Sequence, residues 1–115
     1  MQIDPPVPGR PYAVIAPHGG SITADRRLDA VTPAAIEAAY REYGALLLRG
    51  FAADLDAFRR FARSHCPTAV INETPGRAVL DAVHAIQSVD GGTAPFALHP
   101  ELAREPWKPD AALFG

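Results

Sequence analysis

His99 and Glu101 stand two positions apart, with Pro100 between them. An imidazole and a carboxylate at that spacing are two ligands suited to non-heme ferrous iron. That ion takes two histidines and one carboxylate on one face and leaves the remaining positions open. In an extended segment residues i and i+2 point the same way, so His99 and Glu101 would address one ion while Pro100 faces away. A co-substrate and dioxygen would take the open positions. The tripeptide alone is a weak signal. With four histidines and thirteen acidic residues in 115, about 0.45 His-x-Asp/Glu matches are expected by chance. The competing reading is a surface histidine beside a glutamate in a proline-rich loop.

Other reactive side chains have plainer readings. His84, in an apolar stretch, reads as a hydrogen-bonded core or edge residue. His65 and Cys66 are adjacent, but neighbours on a helix do not face each other, so packing is expected there rather than an activated thiol. His18-Gly19-Gly20 and Asp90-Gly91-Gly92 read as turns and lack the spacing of a nucleotide-binding loop. Arg59, Arg60 and Arg63 make a basic helix face balanced by nearby acids. Trp107, between Pro106 and Pro109, suits either a lid over a site or an anchor for its loop.

The elements that must position these residues follow from local pattern. Residues 11–16 are a short apolar run closed by Pro17 and Gly19, a strand and a turn. Thr32-Pro33 is a helix start. Ile36, Ala39, Tyr40 and Tyr43 then recur at helical spacing until Gly44, which predicts a helix over 33–43. Residues 45–48, between Gly44 and Gly50, predict a buried strand. Asp54 caps a second helix over 55–65, with Leu55, Phe58, Phe61 and Ala62 as its apolar face and Pro67 barring continuation. Beyond it the pattern turns to strands: 69–71, 78–80, 83–89 around His84, 96–99 and 111–114. Eight of the twelve prolines lie in two groups, four from Pro5 to Pro11 and four from Pro95 to Pro109. The first group predicts an extended proline-rich arm over 1–11.

A chain of 115 residues with 48% apolar and 21% charged composition fits a single globular domain. A net charge of −2 and a pI near 6.0 give no electrostatic footprint for nucleic acid. No apolar run approaches the roughly 18 residues that span a bilayer, and the N-terminus lacks the features of a signal peptide. With Cys66 as the one cysteine, no internal disulfide forms, which suits the cytoplasm.

Taken in order, Gly44-Ala45-Leu46-Leu47-Leu48-Arg49-Gly50-Phe51, the Phe58/Phe61 helix, Pro95-Phe96-Ala97-Leu98-His99-Pro100-Glu101 and the Pro109–Phe114 stretch form a series. From about residue 30 to 115 it resembles the N-terminal half of the taurine dioxygenase / clavaminate synthase-like family of Fe(II)- and 2-oxoglutarate-dependent oxygenases. The resemblance implies an α+β fold in which part of a double-stranded β-helix (jelly roll) is flanked by helices. It implies His99 as the first metal histidine and Glu101 as the metal carboxylate. Arg77, Gln87 and Ser88 occupy positions implied to contact substrate. The implied cofactors are Fe(II) and 2-oxoglutarate as co-substrate. The implied reaction hydroxylates an unactivated C–H bond of a small molecule, with an amino acid or carrier-bound amino acid suggested by the glutamate ligand. No histidine follows Glu101. The second metal histidine and the 2-oxoglutarate-binding arginine must then come from a C-terminal half or a partner chain. The expectation is an N-terminal segment of a longer oxygenase domain, not competent alone. The alternative is a truncated, non-catalytic binding or interaction module.

Overall fold

A computed structural model describes residues 1–19, 26–73, 76–89, 93, 95, 97, 102 and 105–115. The chain divides into two compact units, Met1–His65 and Cys66–Gly115.

The first unit is built on a three-stranded sheet, β1 (Gln2–Asp4), β2 (Ala13–Ala16) and β3 (Leu46–Leu48), with β2 in the centre. β1 runs antiparallel to β2, pairing Ile3 with Ile15, and β3 runs parallel to β2, pairing Ile15 with Leu48. The first residues of the proline-rich arm are therefore a sheet strand. Val7 and Arg10 then bond each other's backbone and turn the chain back toward β2. A parallel pair needs a long crossover. Here it contains a short 3-10 turn, Leu28–Ala30, and helix α1, Pro33–Tyr43.

Helix α1 has the predicted bounds because both its ends are written locally. Thr32 Oγ1 accepts the Ala35 N–H at 3.4 Å, and Pro33 occupies a first-turn position that needs no N–H partner. At the other end Gly44 takes φ +74 and its N–H reaches the Tyr40 carbonyl at 2.8 Å. Helix α2, Leu55–His65, also matches its predicted span. Asp54 Oδ1 accepts the Ala57 N–H at 2.7 Å, satisfying one of the first-turn donors. Its buried face differs from the expected one. Ala57, Phe61 and Ala62 are buried, whereas Leu55 is 42% exposed. Leu55 opens the helix, and the core gathers around Phe61 with Leu28, Val31 and Ala57, with Ile36, Leu48 and Phe51 packed against them.

Strand β3 is half-buried rather than buried, with Leu47 40% exposed. It lies at the sheet's edge, so only central β2 has neighbours on both sides.

The second unit carries a two-stranded antiparallel sheet, β4 (Val79–Asp81) and β5 (Ile86–Gln87), with an irregular register between Val79 and Asp81. Residues 69–71 are irregular, as are 111–115, where Phe114 is 70% exposed. Of the strand predicted over 83–89, residues 86–87 form β5, whereas the part through His84 is a turn. Asp81 Oδ1 accepts the N–H groups of Val83 and His84, at 3.0 and 3.2 Å, in place of a ladder partner. Ala85 closes that turn with φ +51, a left-handed conformation that non-glycine residues seldom take. The described residues thus mix helices with two small sheets, an α+β arrangement, and do not by themselves build a double-stranded β-helix.

Candidate functional site

His99 and Glu101, the expected metal ligands, lie outside the described residues. Among the described residues no group of three or more His, Cys, Asp or Glu side chains could hold a metal ion. The sequence supplies a histidine and a carboxylate of the correct donor type, which is two ligands where the oxygenase site needs three.

The three positions expected to contact substrate fall in the second unit, on or beside the β4–β5 hairpin. Gln87 uses both ends of its amide. Its Oε1 accepts the Asn72 N–H at 3.1 Å, and its Nε2 donates to the Asn72 carbonyl at 2.8 Å. The side chain thereby stands in for the edge of a neighbouring strand and clamps a backbone unit fifteen residues away. Ser88 pairs with Ala78 twice: its N–H reaches the Ala78 carbonyl at 2.8 Å, and its Oγ accepts the Ala78 N–H at 3.0 Å. Arg77, the residue before Ala78, is half-buried. Gln87 and Ser88 are thus built into the hairpin's backbone bonding. Each retains some hydrogen-bonding capacity, since an amide offers a second N–H and a hydroxyl its own proton.

Asn72, held by Gln87, forms part of the wall of a cleft of about 460 Å³ within the second unit. Ile71, Glu73, Leu102, Glu105 and Trp107 make the rest of the described lining. Leu102 has φ +47, a conformation costing on the order of 1–3 kcal/mol for a residue with a side chain. Trp107 is 57% exposed, so it lines a cavity wall and does not anchor its loop in a core. Sequence reasoning weighed Trp107 as a lid but passed over Asn72, Glu73 and Glu105. Nothing in their local pattern marks them, because they meet only through tertiary folding.

A second polar arrangement is the Asp81–His84 pair. His84 Nδ1 lies 2.9 Å from Asp81 Oδ2, while Asp81 Oδ1 takes the two turn N–H groups. The His84 hydrogen bond holds the Asp81 carboxyl below the usual carboxylate range, with backbone bonds from His84 and Val83 reinforcing it against partial desolvation. The Asp-x-x-His spacing was the available signal, since a carboxylate two or three residues before an amide is a local turn device. The pair orients an imidazole in the manner of a carboxylate–histidine couple.

His65 and Cys66 behave as packed residues. The His65 ring stacks on Phe61 at 3.9 Å between centroids. Its Nδ1 lies 2.8 Å from the Phe61 carbonyl oxygen, which only a protonated Nδ1 can bond. Burial pushes the Cys66 thiol up, away from a reactive thiolate. The basic face of α2 is tied to acids. Arg59 pairs with Asp56 at 2.8 Å, and Arg60 lies 3.8 Å from Asp29, itself forked by Arg27 at 2.6–2.8 Å. That fork, with desolvation opposing it, lowers the Asp29 carboxyl.

Comparison with protein-family models, with curated proteins and with solved structures finds no match for this chain. Among the described residues no helix is long and apolar enough to cross a membrane.

Proposed function

We propose that this chain is a segment of an Fe(II)/2-oxoglutarate-dependent dioxygenase of the taurine dioxygenase / clavaminate synthase-like kind, acting on a small molecule in the cytoplasm. The observation that carries the reading is His99-Pro100-Glu101 at the end of the Gly44–Phe51, Phe58/Phe61 and Pro95–Leu98 series. The order β2, α1, β3, α2 supports it, because a helix, a short strand and a second helix are the lead-in that the resemblance requires. In this proposal the fold is completed as a jelly roll by residues outside this sequence, which also bring the second histidine and the 2-oxoglutarate-binding arginine. The substrate class is an amino acid, free or carrier-bound. No chemical step is assigned to the 115 residues alone, since a ligand pair holds ferrous iron weakly and leaves it without a binding partner for the co-substrate.

The test is anaerobic Fe(II) titration of the chain and of its His99→Ala and Glu101→Ala variants. It is repeated with a distal segment bearing the missing histidine and arginine supplied in the same polypeptide or in trans. Weak binding by the chain, loss of binding in both variants, and substrate-dependent succinate formation only in the complemented protein are expected. Iron binding or turnover undiminished in the two variants would sink the assignment.

A second reading, a non-catalytic binding module, is favoured by one observation. Val79, Leu80, Val83, Val89, Trp107 and Phe114 of the second unit are all large apolar residues exposed by 45–80%. A cooperative melt of the chain without iron, together with no succinate formation in any complemented form, would select it.

A further inference from the structure

Two described cavities carry charged side chains, and they differ in what those charges face. In the first unit a small recess of about 170 Å³ is lined by Arg27, Asp29, Asp54 and Arg60. Its charges are spent on one another: Arg27 on Asp29, Arg60 near the same carboxylate, and Asp54 on the start of α2. The cleft of the second unit is different. At about 460 Å³ it falls within the range of small-molecule sites, roughly 300–1,000 Å³. Its described lining has two carboxylates, Glu73 and Glu105, and no basic side chain. The same wall carries the chain's single tryptophan, with Ile71 and Leu102 as apolar surface.

We propose that the cleft binds a compact organic cation with a quaternary ammonium head, set between Trp107 and the carboxylates of Glu73 and Glu105. Three features select that class. An indole face attracts a cation through its quadrupole, and tryptophan does so best of the aromatic side chains. The two carboxylates make the described wall negative, which draws in a cation. Ile71 and Leu102 offer apolar surface against which N-methyl groups can pack. The wall is also partly set in advance. Gln87 pins the Asn72 backbone by two hydrogen bonds, so less ordering is left for the ligand to impose. The site needs no iron and stands apart from the oxygenase proposal.

The single tryptophan makes the test direct, because any change in indole fluorescence reports position 107. The 115-residue chain is titrated, in the presence of a chelator, with choline and with its uncharged isostere 3,3-dimethyl-1-butanol. A saturable response to choline is expected, with the isostere about ten-fold weaker because it lacks the charge. Glu73→Gln and Glu105→Gln should each raise the half-saturating choline concentration by about three- to five-fold, the scale of one exposed charge interaction. Glu37→Gln, on helix α1, should leave it unchanged. Saturation transfer to the choline methyl protons is a second readout, which Trp107→Leu should lower. Equal response to the two probes overturns the proposal. So does unchanged half-saturation in both glutamine variants, or a Glu37→Gln effect as large as theirs.

Discussion

Replacing Gln87 by alanine tests whether this side chain holds the cleft wall or serves only as a surface contact. The substitution removes two bonds to the backbone of one residue, Asn72 N–H to Oε1 at 3.1 Å and Nε2–H to the Asn72 carbonyl at 2.8 Å. A neutral intramolecular hydrogen bond contributes about 0.5–1.5 kcal/mol net, so the pair contributes about 1–3 kcal/mol. Both residues are half-buried, and water will partly replace the lost partners. A loss of about 1–2 kcal/mol is the reasoned figure. Native-state hydrogen exchange of the Asn72 amide reads it locally, as exchange about 5–30 times faster, since 1.4 kcal/mol is a factor of ten. Gln87→Glu separates bonding from bulk. A carboxylate still accepts from the Asn72 N–H but has no donor for the Asn72 carbonyl, and their oxygens repel. Its proton would be held in the folded state, raising that carboxyl above its unfolded value. The defect should therefore be absent at low pH and appear as pH rises through the carboxyl's titration. Asn72 exchange unchanged in Gln87→Ala, or a Gln87→Glu defect independent of pH, would refute the clamp.

Asp54→Ala should destabilise the first unit by about 1 kcal/mol, seen as a lower midpoint in urea. Thr32→Ala should cost visibly less, because the Thr32 cap contact is 3.4 Å against 2.7 Å for Asp54. Equal costs would mean that cap geometry does not set the difference. The Asp81 carboxyl is held low, first by the His84 hydrogen bond, so the stability it lends is present above its unfolded value, about 3.9, and is lost as pH falls through the lower folded value. The protection factors of the Val83 and His84 amides should fall on acidification below about pH 4 in the wild type, but not in Asp81→Asn. Identical profiles in the two proteins would contradict the assignment.

Both helices were legible because their signals are local. Thr32-Pro33 and Gly44 frame α1, and Asp54 and Pro67 frame α2, each acting within a turn of its own backbone. The first part of the strand predicted over 83–89 misled for the same reason in reverse, while its residues 86–87 do pair as β5. An apolar run pairs only if a partner strand outcompetes local bonds, and Asp81 captured the Val83 and His84 N–H groups first. The place of β1 was not legible either, since the prolines suggested an arm while Ile3 pairs with Ile15 across the turn at Val7 and Arg10.

The sequence by itself determined the spans of both helices and the residues that cap them. Tertiary structure alone decided that β3 pairs parallel to β2, that Gln87 clamps Asn72, and that Glu73, Glu105 and Trp107 share one cleft. Caps and helical periodicity act over four residues or fewer, so a sequence displays them. Parallel strand pairing and cavity walls join residues far apart in the chain, and which of many such pairings forms is settled only when the whole unit packs.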